Sequence, residues 1–148
     1  MYGESAAMAN VLPAFELEAG ARRTILLVED EDMVRALLAE VLRRQGYDVL
    51  SCAHPREGIE VCQRNSHKID VLLTDMAMPE MNGQQMAKQI LATLPDLRVL
   101  FMSGYSEQSL PEAGEISSKC GYLQKPFTLS TLMRKLSEVL EEEAAPVQ

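Results

Sequence analysis

Basic residues are in short supply: 14 Lys and Arg stand against 22 Asp and Glu, for a formal charge of -8. That deficit excludes a broad grip on a phosphate backbone, which needs Lys and Arg clustered on one face, so no nucleic acid is expected to bind. Cysteine is scarce as well. Cys52, Cys62 and Cys120 are scattered, odd in number and without a CxxC pair, which argues against a disulfide framework or a zinc site. They read as small buried apolar residues in a reducing compartment. No stretch approaches the roughly 20 apolar residues of a membrane span. The first twenty residues carry Glu4, Glu16 and Glu18 instead of a basic start and an apolar run, so no signal peptide is visible. These absences predict a soluble cytoplasmic chain without membrane contact. His54 and His67 read as surface residues.

What is present is enough for one compact domain. The chain has 148 residues, 47% hydrophobic and 24% charged, so a core of useful size needs no staples. Residues 1–22 show no sustained period and read as a linker or the end of a preceding domain. A sharp change follows, and residues 23–142 read as the domain, with 143–148 as a flexible tail. Thr24 to Val28 is a continuous apolar run, the mark of a strand buried on both faces. From Met33 to Arg44 the apolar residues Val34, Leu37, Leu38, Val41 and Leu42 recur at helical spacing, with Asp32 as the expected N-cap and Gly46 as the left-handed stop. Further strands are expected at Tyr47–Ala53, Ile69–Asp75, Arg98–Ser103 and Gly121–Lys125. Helices are expected from His54 to Asn65, with Pro55 in the first turn, from Gln84 to Leu94, and after a Thr128 cap. The stretch 105–119 is broken by Pro111 and Gly114 and reads as irregular. Strands alternating with helices in this way imply an α/β domain, a doubly wound parallel sheet covered on both faces.

In an open parallel sheet the working site lies at the carboxyl ends of the strands. Here the first strand ends in Glu29-Asp30, the third in Asp75, the fourth in Ser103 and the fifth in Lys125. Taken singly, an Asp at a strand end is an ordinary helix cap, and Lys before Pro is unremarkable. Four strand ends agreeing is the signal. Gathered carboxylates raise each other's pKa values unless a cation joins them, and Mg²⁺ is satisfied by a few carboxylates and several waters. A Lys and a hydroxyl beside such a cluster suit an anion that the metal also touches, and a phosphoryl group fits. One carboxylate is then the nucleophile.

At this point the residues resemble a known family. From about Arg23 to Leu140 the chain is similar to the receiver domain of two-component response regulators, the CheY-like family. The motifs are Leu27-Val28-Glu29-Asp30-Glu31, Leu73-Thr74-Asp75-Met76-Ala77-Met78-Pro79 with Met81-Asn82-Gly83, Met102-Ser103-Gly104-Tyr105, and Gln124-Lys125-Pro126-Phe127. The resemblance implies a flavodoxin-like (βα)5 fold with strand order 2-1-3-4-5. It implies Asp75 as phosphoacceptor, and Mg²⁺ or Mn²⁺ held by Asp30, by Glu29 mostly through a water, by Asp75 and by the backbone carbonyl of Ala77. Lys125 pairs with the phosphoryl oxygens, Ser103 is the switch hydroxyl, Tyr122 the switch aromatic, and Pro126 follows a cis peptide bond. The implied partner is a histidine kinase or a histidine phosphotransfer domain, with the receiver itself a monomer or weak dimer.

Two positions depart from the commoner pattern: Glu29 stands where Asp is usual, and the fourth helix of the family is poorly helical here. The Met-Ser-Gly-Tyr and Leu-Gln-Lys-Pro-Phe-Thr-Leu forms look like receivers at the carboxyl end of hybrid sensor histidine kinases. Val11-Leu12-Pro13 resembles the last strand of a kinase ATP-binding domain. Two other readings stay open. An aspartate-nucleophile phosphatase needs a general acid two positions after the nucleophile, where this chain has Ala77. A degenerate receiver used only for docking sits poorly with an intact set of acids, hydroxyl and Lys. Ala77 and Tyr105 offer no acid or amide to orient an attacking water, so the acyl phosphate is expected not to be short-lived.

Overall fold

The computed structural model describes residues 22–65, 68–104 and 120–141. In chain order these form β1 (Thr24–Val28), α1 (Asp32–Arg44), β2 (Asp48–Cys52), α2 (Pro55–Arg64), β3 (Val71–Asp75), α3 (Gly83–Thr93), β4 (Arg98–Ser103), β5 (Cys120–Gln124) and α4 (Leu129–Glu141). All five strands are parallel, in the order β2-β1-β3-β4-β5. This is the flavodoxin-like order that the family resemblance implied. The expected strand at Val11-Leu12-Pro13, the two chain ends and the 105–119 stretch lie outside the described residues.

The sheet is covered on both sides, and period-two alternation divides the core. Ile25 and Leu27 of β1, Val71 and Leu73 of β3, and Leu100 and Met102 of β4 face one way. They pack against Leu38, Ala39 and Leu42 of α1 and Leu132, Leu136 and Val139 of α4. Leu26, Val28, Leu72, Val99 and Phe101 face the other way, against Cys62 of α2 and Met86, Ala87 and Ile90 of α3. This is why β1, β3 and β4 read as continuous apolar runs: each alternate side chain has a helix to meet. Gly58 lets α2 lie close on β1, since a Cβ there would come within 2.9 Å of the Val28 side chain.

The helix ends follow local chemistry. After α1, Gly46 at φ 101° donates to the Arg43 carbonyl, and Tyr47 donates to that of Leu42. This pair of bonds defines a Schellman stop. Thr128 Oγ1 accepts from the Thr131 N–H and caps α4. Asn82 and Gln85 form a reciprocal capping box at the start of α3, which supports the first turn of that helix. The open edge strand β2 exposes Asp48 and Ser51, and the Arg43 guanidinium donates to the Val49 carbonyl at 3.0 Å.

Several sequence expectations need correction. Asp32 is the first residue of α1, not its cap: Glu31 holds the cap position without a side-chain bond, and Asp32 pairs with Arg35 at 2.7 Å. Leu37 is 64% exposed although it fits the apolar period. The helix turns Ala39 toward the sheet, and that rotation carries Leu37 and Met33 outward. Strand ends differ from expectation by a residue or two, as with β5, which starts at Cys120. Cys52 and Cys62 are buried as expected, but Cys120 is only partly so.

Candidate functional site

The strand order reverses direction around β1, because β2 lies on one side of it and β3 on the other. A crevice outside the carboxyl ends of two such strands is the place where open sheets bind ligands. In this chain β1 leads directly into Glu29-Asp30, and β3 ends on Asp75.

The fold brings these acids together. Glu29, Asp30 and Asp75 each offer a carboxylate oxygen lying within 4.8 Å of the other two. Lys125, immediately after β5, places its Nζ 3.0 Å from Asp75 Oδ2 and 3.9 Å from Glu29 Oε1. Its backbone N–H donates to the Ser103 carbonyl at 2.7 Å, so the ends of β4 and β5 are tied side by side. Ser103 is buried at the end of β4. Tyr122 is partly buried on β5, with its ring stacked on Phe101 at a centroid separation of 5.4 Å. The exposed Ala77 donates its N–H to Asp75 Oδ1 at 3.4 Å. The Lys125–Pro126 bond is cis, as the resemblance implied.

Glu29 sits in an electrostatically unfavourable place. It is 1% exposed, and burial pushes its carboxyl up from 4.5 to about 7. The Glu31 N–H and Lys125 oppose that rise, while the charges of Asp75 and Asp30 add to it. One oxygen, Oε2, accepts from the Glu31 N–H at 3.1 Å. The other, Oε1, is buried without a hydrogen bond. A buried carboxylate oxygen with no donor is costly unless something positive reaches it. The donor set around it is all oxygen, which suits a hard divalent cation of the Mg²⁺ or Mn²⁺ type better than a soft one.

The loop after β3 is held tightly. Met76 donates to the Met102 carbonyl, and Gly83 donates back to the Met76 carbonyl at 2.9 Å. A Cβ on Gly83 would overlap the Asp75 carbonyl oxygen, so only glycine lets α3 start this close to the acid. Glu80 has φ 74° and sits inside a Met81 N–H to Pro79 carbonyl bond of 2.7 Å. That is the rarer, strained form of γ-turn.

Sequence reasoning named Glu29, Asp30, Asp75, Lys125, Ser103, Ala77 and Tyr122, and the first four meet within ion-pair or cation-bridging range. Tyr105 lies outside the described residues. What it missed is Arg35, whose guanidinium reaches back to the Glu29 carbonyl at 2.9 Å. The Asp32-x-x-Arg35 spacing was the available signal, because residues three apart on a helix are neighbours.

Comparison with known proteins identifies the family. The family described as "Response regulator receiver domain" matches residues 25–137. The response regulator receiver protein CpdR of Brucella abortus is 31% identical over 119 residues, covering 80% of this chain and 97% of CpdR. The sensor kinase CckA of Brucella abortus is 36% identical over 120 residues, 81% of this chain but 13% of the kinase. Among solved structures, a receiver domain from the hybrid histidine kinase CckA is 32% identical with a TM-score of 0.66, covering 79% of this chain and 98% of that one. A receiver domain protein from Clostridium thermocellum is 25% identical with a TM-score of 0.75, covering 83% and 98%. No described helix is long and apolar enough to cross a membrane. Strand order, the acids at the β1/β3 crevice and a family match over most of the chain converge: this chain belongs to the response regulator receiver domain family and is a receiver of two-component signalling.

Proposed function

We propose that Asp75 is the residue that takes the phosphoryl group, from a phosphohistidine of a histidine kinase or histidine phosphotransfer domain. The observation that carries this reading is the juxtaposition at one sheet edge of three carboxylates within 4.8 Å and an ammonium 3.0 Å from one of them. Glu29, Asp30, Asp75 and the Ala77 carbonyl would hold Mg²⁺ or Mn²⁺, with Glu29 acting mostly through a water. The cation would neutralise charge on the acids and on the incoming phosphoryl oxygens.

The chain's own residues do the rest. Asp75 supplies a carboxylate oxygen that forms the new bond to phosphorus while the bond from phosphorus to the donor's imidazole nitrogen breaks. The electron pair of the broken bond stays with that nitrogen. Lys125, already beside Asp75, keeps its charge where negative charge accumulates and exchanges its carboxylate contact for phosphoryl oxygens. Ser103 donates its hydroxyl to the same oxygens and moves toward them. Tyr122, already stacked on Phe101, turns inward as the hydroxyl moves, which biases a two-state face of the domain. Ala77 offers no general acid, which weighs against a phosphatase. The similarity to CckA supports placing this receiver within a hybrid histidine kinase.

The test is labelling by acetyl phosphate with and without Mg²⁺. Wild-type protein should label only with the cation, and Asp75→Asn should not label at all. Full stoichiometric labelling of Asp75→Asn would overturn the assignment.

A further inference from the structure

We propose that Arg35 is a positioning residue for the cation site, clasping the loop that carries its first two acids. The inference rests on the reading of Glu29, Asp30 and Asp75 as that site. Arg35 closes the first turn of α1, and its guanidinium makes two bonds, one to the backbone and one to a side chain. Nη1 donates to the Glu29 carbonyl at 2.9 Å, and Nη2 donates to Asp32 Oδ1 at 2.7 Å. Asp30 sits between these two anchors in sequence. The Arg35 N–H also donates to the Glu31 carbonyl at 2.9 Å, so bonds to residues 29, 31 and 32 converge on one residue.

The grip matters because Glu29 is pinned on its other side as well. Its N–H donates to the Cys52 carbonyl at 3.1 Å, and its Oε2 accepts from the Glu31 N–H. With the amide, the carbonyl and one carboxylate oxygen fixed, the remaining oxygen, Oε1, has a set position next to Lys125. Removing the Arg35 side chain frees the Glu29 carbonyl and Asp32, while the backbone bond to Glu31 remains. Arg43 also reaches a strand carbonyl, that of Val49, but far from the acids; three helix ion pairs are different in kind. Arg44 with Glu40, Arg64 with Glu60 and Arg134 with Glu138 are exposed side-chain pairs within a single helix. Arg35 has a side chain only 21% exposed and crosses the junction from helix to strand. Partners that orient metal ligands from behind change affinity by roughly 10- to 100-fold when removed.

Charge alone makes the opposite prediction, which makes the proposal testable. Arg35 is a cation near a cation site, so deleting it should tighten metal binding if only Coulomb repulsion mattered. The clasp predicts weaker binding. Mn²⁺ affinity is measured by the paramagnetic resonance signal of free Mn²⁺ for wild type, Arg35→Ala, Arg35→Lys and, as control, Arg44→Ala. We expect Arg35→Ala to bind roughly tenfold more weakly. Arg35→Lys, which keeps the charge but has no two-armed fork, should also bind more weakly. Arg44→Ala should bind as wild type does. If Arg35→Ala does not fold, Arg35→Lys decides. Wild-type affinity in Arg35→Lys, or unchanged or tighter binding in a folded Arg35→Ala, overturns the clasp and leaves the site intact. A wild-type protein that binds no Mn²⁺ overturns the site reading, and the clasp falls with it.

Discussion

Replacing Glu29 with Gln should flatten the pH dependence of stability in the metal-free protein. Burial moves the Glu29 carboxyl from 4.5 to about 7 in the folded state, while the unfolded chain releases the same proton near its ordinary value. Between those two pH values the folded state holds a proton that the unfolded state has lost. Stability therefore falls as pH rises through that window and stays low above it. At ~1.4 kcal/mol per pH unit, the loss reaches about 3 kcal/mol. Gln has no proton to lose, and its side-chain oxygen can still accept from the Glu31 N–H. Urea unfolding with a chelator present, at a series of pH values from about 4 to 8, gives the assay. The stability difference between wild type and Glu29→Gln should change by about 3 kcal/mol across that range. Saturating Mg²⁺ should recover most of the loss in wild type, because a nearby cation favours the ionised carboxylate. Stability curves that run parallel for the two proteins would refute the reasoning.

Three further outcomes can be checked with simple variants. Gly83→Ala places a methyl group against the Asp75 carbonyl oxygen; it should cost about 1–3 kcal/mol in urea unfolding and sharply lower acetyl-phosphate labelling, and full labelling at wild-type stability would count against it. Glu80→Gly removes a side chain from a backbone position at φ 74° and should raise stability by up to about 1 kcal/mol; a loss of stability would show that the Glu80 side chain matters more than its strain. The Cys52 and Cys62 thiols are pushed up by burial to about 11 and about 12, so both should resist a thiol reagent at neutral pH until urea exposes them; rapid native-state labelling of either would contradict that.

Much of the architecture could be read from the sequence for a physical reason. The strands β1, β3 and β4 have helices on both faces, so burial wrote itself into uninterrupted apolar runs. The residues at or just after the strands' carboxyl ends are chemically distinctive, so Glu29, Asp30, Asp75 and Lys125 stand out in the sequence itself. Turn chemistry at Gly46 and Thr128 was legible because those caps act within a few residues. The misses are of another kind. Leu37 fits the helical period, yet the rotation of α1 is set by how Ala39 and Leu42 meet the sheet. The need for glycine at position 83 comes from Asp75, a residue in a different element. The Arg35–Asp32 pair shows in its spacing, but the reach of Arg35 to the Glu29 carbonyl does not, because any residue supplies a carbonyl.

The outer strand of the sheet has a consequence for self-association. An unpaired strand flank invites another chain to add itself by backbone bonding, and a charged, short and partly occupied flank discourages it. Here that flank is five residues long, displays Asp48, and has the Val49 oxygen already taken by Arg43. Growth of the sheet from one molecule into the next is therefore disfavoured on that side.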